Sequence, residues 1–333
     1  MTDVAILGAG AWGTAIAIHA ATRATARPRV LLYARTATQA HALERERENR
    51  RYLPGVGLPP AVTVTNDIAA AAAADVLLLA TPVGALPSLI QTLLSTGRRP
   101  PLALLSKGFV LHDGFPQLAS DYLGAHWGAP LAIVSGPSFA GEVARGLPTA
   151  LAVAAASAGI ATQVANLLRS ETLRVYESDD MAGVQAGGAV KNVLAIAAGA
   201  SDGLGFGNNA RAALVTRGLA EARRLTLALG GRRDTVMGLA GLGDLVLTCT
   251  GDASRNRRVG LALASGTPLQ SILDRLGHVA EGVAAARAVR TLATRHALDM
   301  PICQAVDRVL HEALPVRDAV AALLRREPRS ESE

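Results

Sequence analysis

Lysine is almost absent from this sequence of 333 residues: of 33 basic side chains only Lys107 and Lys191 are lysines, and arginine supplies the rest. Aromatic residues amount to 3%, and the two cysteines, Cys249 and Cys303, stand far apart. So few aromatics leave little with which to stack unpaired bases. The arginines are dispersed among acids, as in Glu44-Arg45-Glu46-Arg47-Glu48, a pattern that belongs to a solvated helix face rather than to a nucleic-acid surface. The formal charge of +6 therefore does not imply a nucleic-acid partner. Two distant cysteines and no secretory segment argue against a disulfide framework and for a reducing, cytoplasmic compartment. Long hydrophobic runs are missing too. The apolar stretch 4–21 follows Asp3, has no basic flank and is broken by Gly8, Gly10 and Gly13, so it reads neither as a signal segment nor as a membrane span.

Alanine and glycine are abundant. With 50% hydrophobic and 18% charged residues, the chain can bury a large core, and its length suits about two domains. Disorder is expected only at the tail, 325–333. In the first half short apolar runs alternate with helix-like stretches: 4–8, 30–34, 62–65, 76–81, 102–106, 131–135 and 151–155 read as strands, and 14–22, 36–50 and 86–95 as helices. Several strands are apolar on both faces, as buried parallel strands are. The alternation predicts an α/β fold, an N-terminal Rossmann-like doubly wound sheet. Beyond about residue 180 Ala-rich helical stretches dominate, opening with a long helix around 183–199, which predicts an all-helical C-terminal domain. The expected organisation is a dinucleotide-binding domain over 1–180, a helical substrate-binding domain over 181–324, and the tail.

The run Val4-Ala5-Ile6-Leu7 leads into Gly8-Ala9-Gly10-Ala11-Trp12-Gly13 and then into a helical segment. Strand, G-x-G-x-x-G, helix is the context of a dinucleotide site. Gly8 permits the turn, Gly10 lets backbone N–H groups approach a pyrophosphate, and Gly13 lets the helix pack on its strand. An acidic residue at the end of the second strand would select NAD through the ribose 2′-hydroxyl. Here Arg35 stands there, and a guanidinium suits a 2′-phosphate, so NADP is favoured over NAD.

Ser106-Lys107-Gly108 follows one strand at its C-terminal end, the edge where open α/β sheets bind ligands, and Ser135-Gly136-Pro137-Ser138-Phe139-Ala140 follows another. The second loop is equally well explained as a turn with Ser138 capping a helix. Lys191 sits with Asn192 inside the apolar segment 186–196. A lysine there is either buried with a purpose or reaching to solvent, and arginine, used everywhere else, could have reached as well. What lysine adds is an amine that can lose its proton when desolvated or when placed near another cation such as Lys107. Gly241-Leu242-Gly243-Asp244 places a carboxylate after a glycine turn read as flexible. Ser254-Arg255-Asn256 reads as a helix start whose N–H groups and cation would attract a phosphate.

These segments, in this order, resemble the NAD(P)-dependent glycerol-3-phosphate dehydrogenases of the bacterial type, over nearly the whole chain. The resemblance rests on Gly8–Gly13, the segment Asn49-Arg50-Arg51-Tyr52-Leu53-Pro54-Gly55, Ser106-Lys107-Gly108, Ser135–Ala140, Val190-Lys191-Asn192, Gly241–Asp244, Ser254-Arg255-Asn256 and Glu281-Gly282. It implies NAD(P)H-dependent reduction of dihydroxyacetone phosphate to sn-glycerol 3-phosphate for phospholipid synthesis, by a cytoplasmic homodimer that needs no metal. It further implies that Lys191 transfers the proton, assisted by Asp244 and Lys107. Substrate contacts fall to Lys107, Gly136, Ser138, Lys191, Asp244, Ser254, Arg255 and Asn256, and cofactor contacts to Gly8, Gly10, Ala11, Trp12, Gly13, Arg35, Tyr52, Lys107, Ala140, Arg255, Val279 and Glu281. Ala11 stands where the family often has serine, so backbone N–H must serve there. Ser138 keeps the hydroxyl of the family's usual threonine. Two other readings are a two-domain Rossmann reductase of the ketopantoate or hydroxy-acid type and an NADP-sensing module without turnover.

Overall fold

The computed structural model describes residues 3–22, 28–276 and 280–325; of the expected site residues Val279 lies outside them, as does the tail beyond Arg325. The chain divides into two compact units, one formed by Met1–Ser106 and Ala119–Met181, the other by Lys107–Leu118 and Ala182–Glu333. The expected uninterrupted unit over 1–180 therefore differs from the fold at one place, since residues 107–118 leave it.

In chain order the elements up to residue 178 are β1 (Val4–Leu7), α1 (Ala11–Thr22), β2 (Val30–Tyr33), α2 (Ala37–Glu46), β3 (Val62–Thr65), α3 (Ile68–Ala72), β4 (Val76–Leu79), α4 (Leu86–Ser95), β5 (Leu102–Leu104), β6 (Phe109–His112), β7 (Phe115–Leu118), α5 (Ala119–His126), β8 (Leu131–Ser135), α6 (Ala140–Ala144), β9 (Thr149–Ala155), α7 (Ala158–Leu168) and β10 (Leu173–Ser178). Eight of these strands form one sheet in the order β10-β9-β8-β5-β4-β1-β2-β3. β1, β2, β3, β4, β5 and β8 pair in parallel, as strands apolar on both faces should, but β8 pairs with β9 antiparallel, and β10 follows β9 in parallel. The chain thus reverses at the Ser135–Ala140 loop without a crossover helix of full length. β10 went unread in the sequence because it is an edge strand: Leu173 and Val175 turn inward, and Arg174, Tyr176 and Glu177 face solvent.

α2 is shorter than the expected 36–50. Thr36 caps it by accepting from the Gln39 N–H, and Arg47 ends it in the left-handed region, φ 49°.

The second unit continues with α8 (Met181–Gly203), α9 (Gly207–Ala228), α10 (Arg233–Met237), α11 (Asp244–Thr250), α12 (Arg255–Ala264), α13 (Leu269–Leu276), α14 (Glu281–Arg295), α15 (Pro301–His311) and α16 (Val316–Leu324). It is not entirely helical. The antiparallel hairpin β6–β7 belongs to it, with Phe109 and Leu118 in its apolar core. α8 is the axis of this core, buried on nearly every face, so its sequence shows no amphipathic stripe. Glycines let other helices approach its backbone: a Cβ on Gly199 would stand 1.9 Å from the Arg257 carbonyl oxygen, and one on Gly260 of α12 would stand 2.0 Å from that of Ile196. α12 is thereby held against α8 at a separation no larger residue permits. Among the described residues, no helix is long and apolar enough to cross a membrane.

Candidate functional site

In the first unit β1 runs into the glycine loop and α1 as the sequence predicts. Gly8 takes φ 120°, and a Cβ on Gly13 would meet the Gly8 carbonyl oxygen at 1.9 Å, so turn and helix can pack only as glycines. A Cβ on Gly10 would meet nothing within 4 Å. That open space lies at the N-terminus of α1, where the first-turn N–H groups have no intrahelical partner and favour an anion. The residues present therefore fit a pyrophosphate. The loop's shape is fixed by side chains that the sequence did not single out by chemistry. The Asn49 amide, buried, donates to the Ala9 carbonyl (3.1 Å) and to the Thr14 hydroxyl (2.7 Å), and Gln39 Nε2 donates to the same carbonyl (2.8 Å). Arg35 follows β2 and is exposed; Ala11, Trp12 and Tyr52 are half-buried, with the Arg51 guanidinium 5.1 Å from the Tyr52 ring centre.

The loop after β8 also belongs to this unit. Gly136 is buried at φ 142°, and the Ser138 hydroxyl donates to the Gly136 carbonyl at 3.0 Å. Ser138 does not cap a helix: α6 starts at Ala140, with Phe139 in the capping position and no side-chain bond. Ser138 closes the turn instead.

The second unit brings together Lys107, Lys191 and Asp244. Asp244, 1% exposed, lies between the two amines: Lys107 Nζ donates to Oδ2 at 2.5 Å, and Lys191 Nζ donates to Oδ1. Lys191 is 7% exposed on the buried helix α8. Burial, which disfavours the ammonium, pulls its pKa down from 10.5 to about 8; Asp244 opposes the fall and Lys107 adds to it. The expected effect of Lys107 is present, but desolvation is the larger cause.

The approach to Asp244 is not the flexible turn that its glycines suggested. Leu239–Gly243 form a π-helical turn continuous with α11, and a Cβ on Gly241 would stand 2.0 Å from the Val236 carbonyl oxygen. Small residues are there for close packing. The Thr248 hydroxyl donates back to the Asp244 carbonyl (2.6 Å), one turn on.

Ser254 caps α12 by accepting from the Arg257 N–H at 3.2 Å, as its place in the sequence indicates. Exposed Arg255 opens the helix, and buried Asn256 joins three elements: its Nδ2 donates to Asn192 Oδ1 on α8 (2.9 Å), and its Oδ1 accepts from the Gly282 N–H on α14 (3.1 Å). Asn192 Nδ2, one residue from the catalytic candidate, is buried with no hydrogen-bond partner among the described residues. Glu281, at the first position of α14, has its carboxyl pKa raised by burial, against the pull of Arg255, Lys107 and Lys191. Lys107, Lys191, Arg255, Asp244 and Glu281 thus share one electrostatic neighbourhood in which cations outnumber acids. Asp202, not expected from sequence, anchors this corner by accepting from Arg257 Nε (2.9 Å) and from Arg211 (3.0 Å). Among the described residues no group of three His, Cys, Asp or Glu could hold a metal ion.

Comparison with known proteins bears on this arrangement. The family model described as NAD-dependent glycerol-3-phosphate dehydrogenase N-terminus matches residues 3–161, and its C-terminus counterpart matches residues 180–321. A protein of Aromatoleum aromaticum named glycerol-3-phosphate dehydrogenase (NAD(P)+) is 52% identical over 332 residues, covering 98% of this chain and 99% of its own. One of the same name from Cupriavidus taiwanensis is 51% identical over 337 residues, with 98% of each covered. The crystal structure of glycerol-3-phosphate dehydrogenase from Coxiella burnetii superposes with a TM-score of 0.92 at 40% identity, over 98% of this chain and 99% of that one.

Proposed function

The chain belongs to the NAD-dependent glycerol-3-phosphate dehydrogenase family, and from that membership we propose that it reduces dihydroxyacetone phosphate to sn-glycerol 3-phosphate, with Lys191 giving and taking the proton. The observation that carries the reading is a buried lysine, its pKa lowered to about 8, clamped by Asp244 beside a second lysine. Bound reduced nicotinamide supplies a hydride to the carbonyl carbon of the substrate. As that carbon gains the hydride, its oxygen gains negative charge, and the Lys191 ammonium both stabilises that charge and delivers the proton that makes the hydroxyl. In the reverse direction neutral Lys191 removes the same proton. Asp244 holds Lys191 in one rotamer and keeps it protonated near neutral pH, since without that carboxylate burial and Lys107 would both favour the free amine.

Arg255, with the free N–H groups at the start of α12, takes the phosphate. α12 is ten residues long and capped by Ser254, so its dipole reinforces the guanidinium. Binding energy at the phosphate, remote from the reacting carbon, fixes the carbonyl relative to Lys191. Asn192 brings an unmet N–H donor of the kind a polar ligand satisfies. Gly136 and Ser138 add further substrate contacts in this proposal, and Glu281 and Ala140 add cofactor contacts.

The glycine loop and the N-terminus of α1 hold the pyrophosphate, and Tyr52, whose N–H donates to the Asn49 carbonyl (3.2 Å), adds a cofactor contact in this proposal. Arg35, exposed after β2, favours the 2′-phosphate of NADP while leaving NAD usable. The proposed setting is a cytoplasmic homodimer providing the glycerol backbone of phospholipids. Support for a reducing compartment comes from Cys249 and Cys303, both buried and free.

Oxidation of NADPH and NADH in parallel, with dihydroxyacetone phosphate as acceptor and with ketopantoate and a 2-keto acid as controls, tests substrate, cofactor and class together. Turnover confined to dihydroxyacetone phosphate is expected, with a higher kcat/KM for NADPH. Turnover of ketopantoate alone would move the chain to a different reaction, and binding of NADPH without any turnover would leave only a sensing role.

A further inference from the structure

The helices α8, α9, α15 and α16, all of the second unit, line an open cavity of about 550 Å³ that none of Lys107, Lys191, Asp244 and Arg255 lines. Its volume lies within the range of small-molecule sites. Most of the wall is aliphatic, with Ile196 of α8, Leu214 of α9, Val306 of α15 and Val320 of α16 on four sides. One end is different. Arg217, Glu221 and Arg224 follow one another on the cavity face of α9. Glu221 is already engaged, accepting from the Ile302 and Cys303 N–H groups at 2.7 and 3.0 Å and so capping α15. Arg224 donates to the Asp299 carbonyl at 2.9 Å. Arg217 is half-buried and makes neither a hydrogen bond nor an ion pair among the described residues.

A half-buried guanidinium with neither a hydrogen bond nor an ion pair is open to pairing with a bound anion. The aliphatic end extends from Arg217 back along α9 toward Phe206, a helical distance of about 16 Å. A single unmatched cation beside a mostly aliphatic wall matches one ligand chemistry: a carboxylate on an unbranched alkyl chain. We infer that this cavity binds a fatty carboxylate, head group on Arg217 and chain between α8, α9, α15 and α16. The site is separate from the substrate site, and the inference does not depend on the proposed reaction.

Dodecanoate titrated into the full-length protein by calorimetry tests the inference. Saturable binding with one ligand per chain is expected, weakening about fourfold for each methylene removed from the chain. In Arg217→Gln the affinity for dodecanoate should fall about ten- to a hundredfold, to that of dodecanol, whose own affinity should not change. Ala305→Phe, which fills the cavity from α15, should abolish binding of both, and both variants should keep the wild-type kcat with dihydroxyacetone phosphate. Absence of saturable binding, or equal binding of dodecanoate by Arg217→Gln, overturns the inference. A change of oligomeric state in sedimentation for Ala305→Phe also overturns it, because the face then belongs to a second copy of the chain.

Discussion

Replacing Asp244 by Asn tests the electrostatic core of the site more sharply than replacing either lysine. The substitution keeps size but removes the one negative charge held between two amines and leaves a single acceptor oxygen where there were two. Lys191 starts from a pKa of about 8, with burial and Lys107 pushing it down and Asp244 holding it up. An opposite charge in direct contact is worth roughly 1 to 3 pKa units, so the asparagine variant should have its Lys191 pKa lowered to about 5 to 7. In the proposed reaction reduction needs the ammonium, so its kcat should be full below that pKa and lost as pH rises through it. In the wild-type enzyme the loss should centre near pH 8; in Asp244→Asn the same limb should move to lower pH by the full shift. At pH 8 the wild type is half protonated, whereas a lysine of pKa about 6 is about 1% protonated, which predicts a loss of roughly fiftyfold. Below about pH 5.5 most of the loss should be recovered. The measurement is the pH profile of kcat for dihydroxyacetone phosphate reduction under saturating cofactor, with circular dichroism confirming the fold. A profile that still breaks near pH 8, or a loss of equal size at every pH, would refute the charge argument and leave Asp244 a purely geometric part.

Lys191 also makes stability depend on pH. Its folded pKa lies below its unfolded value of 10.5, so between about pH 8 and 10.5 the unfolded chain binds more protons, and this group's contribution to stability rises with pH across that window. Lys191→Met should abolish that component in a series of urea melts, and an unchanged pH slope would contradict the depressed pKa. Asn49→Ala removes two hydrogen bonds that hold the Ala9–Thr14 loop, so KM for the dinucleotide should rise about tenfold while KM for dihydroxyacetone phosphate stays put; equal rises in both would point to general destabilisation. Gly199→Ala places a Cβ 1.9 Å from the Arg257 carbonyl and must push α12 off α8, which should cost about 3 kcal/mol or more of stability and impair phosphate binding. Melting and KM for the phosphorylated substrate report the two effects, and a neutral outcome would mean that α12 is not clamped there. Arg35→Ser should reduce kcat/KM for NADPH severalfold and leave NADH nearly unchanged; a parallel loss with both cofactors would show that Arg35 does not select between them.

The parts of the fold legible in the sequence are those in which one strand or helix carries its own signal. β1 and β4 are entirely apolar short runs, and β2 and β8 are apolar up to their last residues, Tyr33 and Ser135; burial on both sides leaves them recognisable. The antiparallel turn from β8 to β9 was not legible, because both strands are as apolar as parallel ones and nothing local records direction. The hairpin β6–β7 was hidden for a different reason. Asp113-Gly114 at its tip is a turn signal, but Leu111 and Phe115 are exposed and blur the alternation that marks a half-buried strand. Its membership in the second unit is a tertiary fact, set by Phe109 and Leu118 entering that unit's core.

For the site, what the sequence disclosed depended on whether a residue was unusual where it stood. Lys191 was conspicuous because a lysine inside an apolar helix carries a desolvation cost that an arginine-rich chain had no need to incur, and the same cost is the main reason its pKa falls. Asn49, Gln39 and Asp202 were not conspicuous, since a polar residue in a loop or near a helix end is ordinary until its partner is known, and each finds its partner at least nine residues away in the chain. The glycines misled in one direction. Before Asp244 they suggested freedom, whereas Gly241 and Gly187 are present because backbone meets backbone there with no room for a methyl group. Rigidity follows from that packing, and the proposed chemistry requires it: an amine whose pKa rests on opposing contributions from burial, a carboxylate and a second amine keeps its value only while those distances hold. The close-packed glycines and the lowered pKa of Lys191 are therefore one design, in which helices brought to minimum separation fix the electrostatics of a single titrating amine.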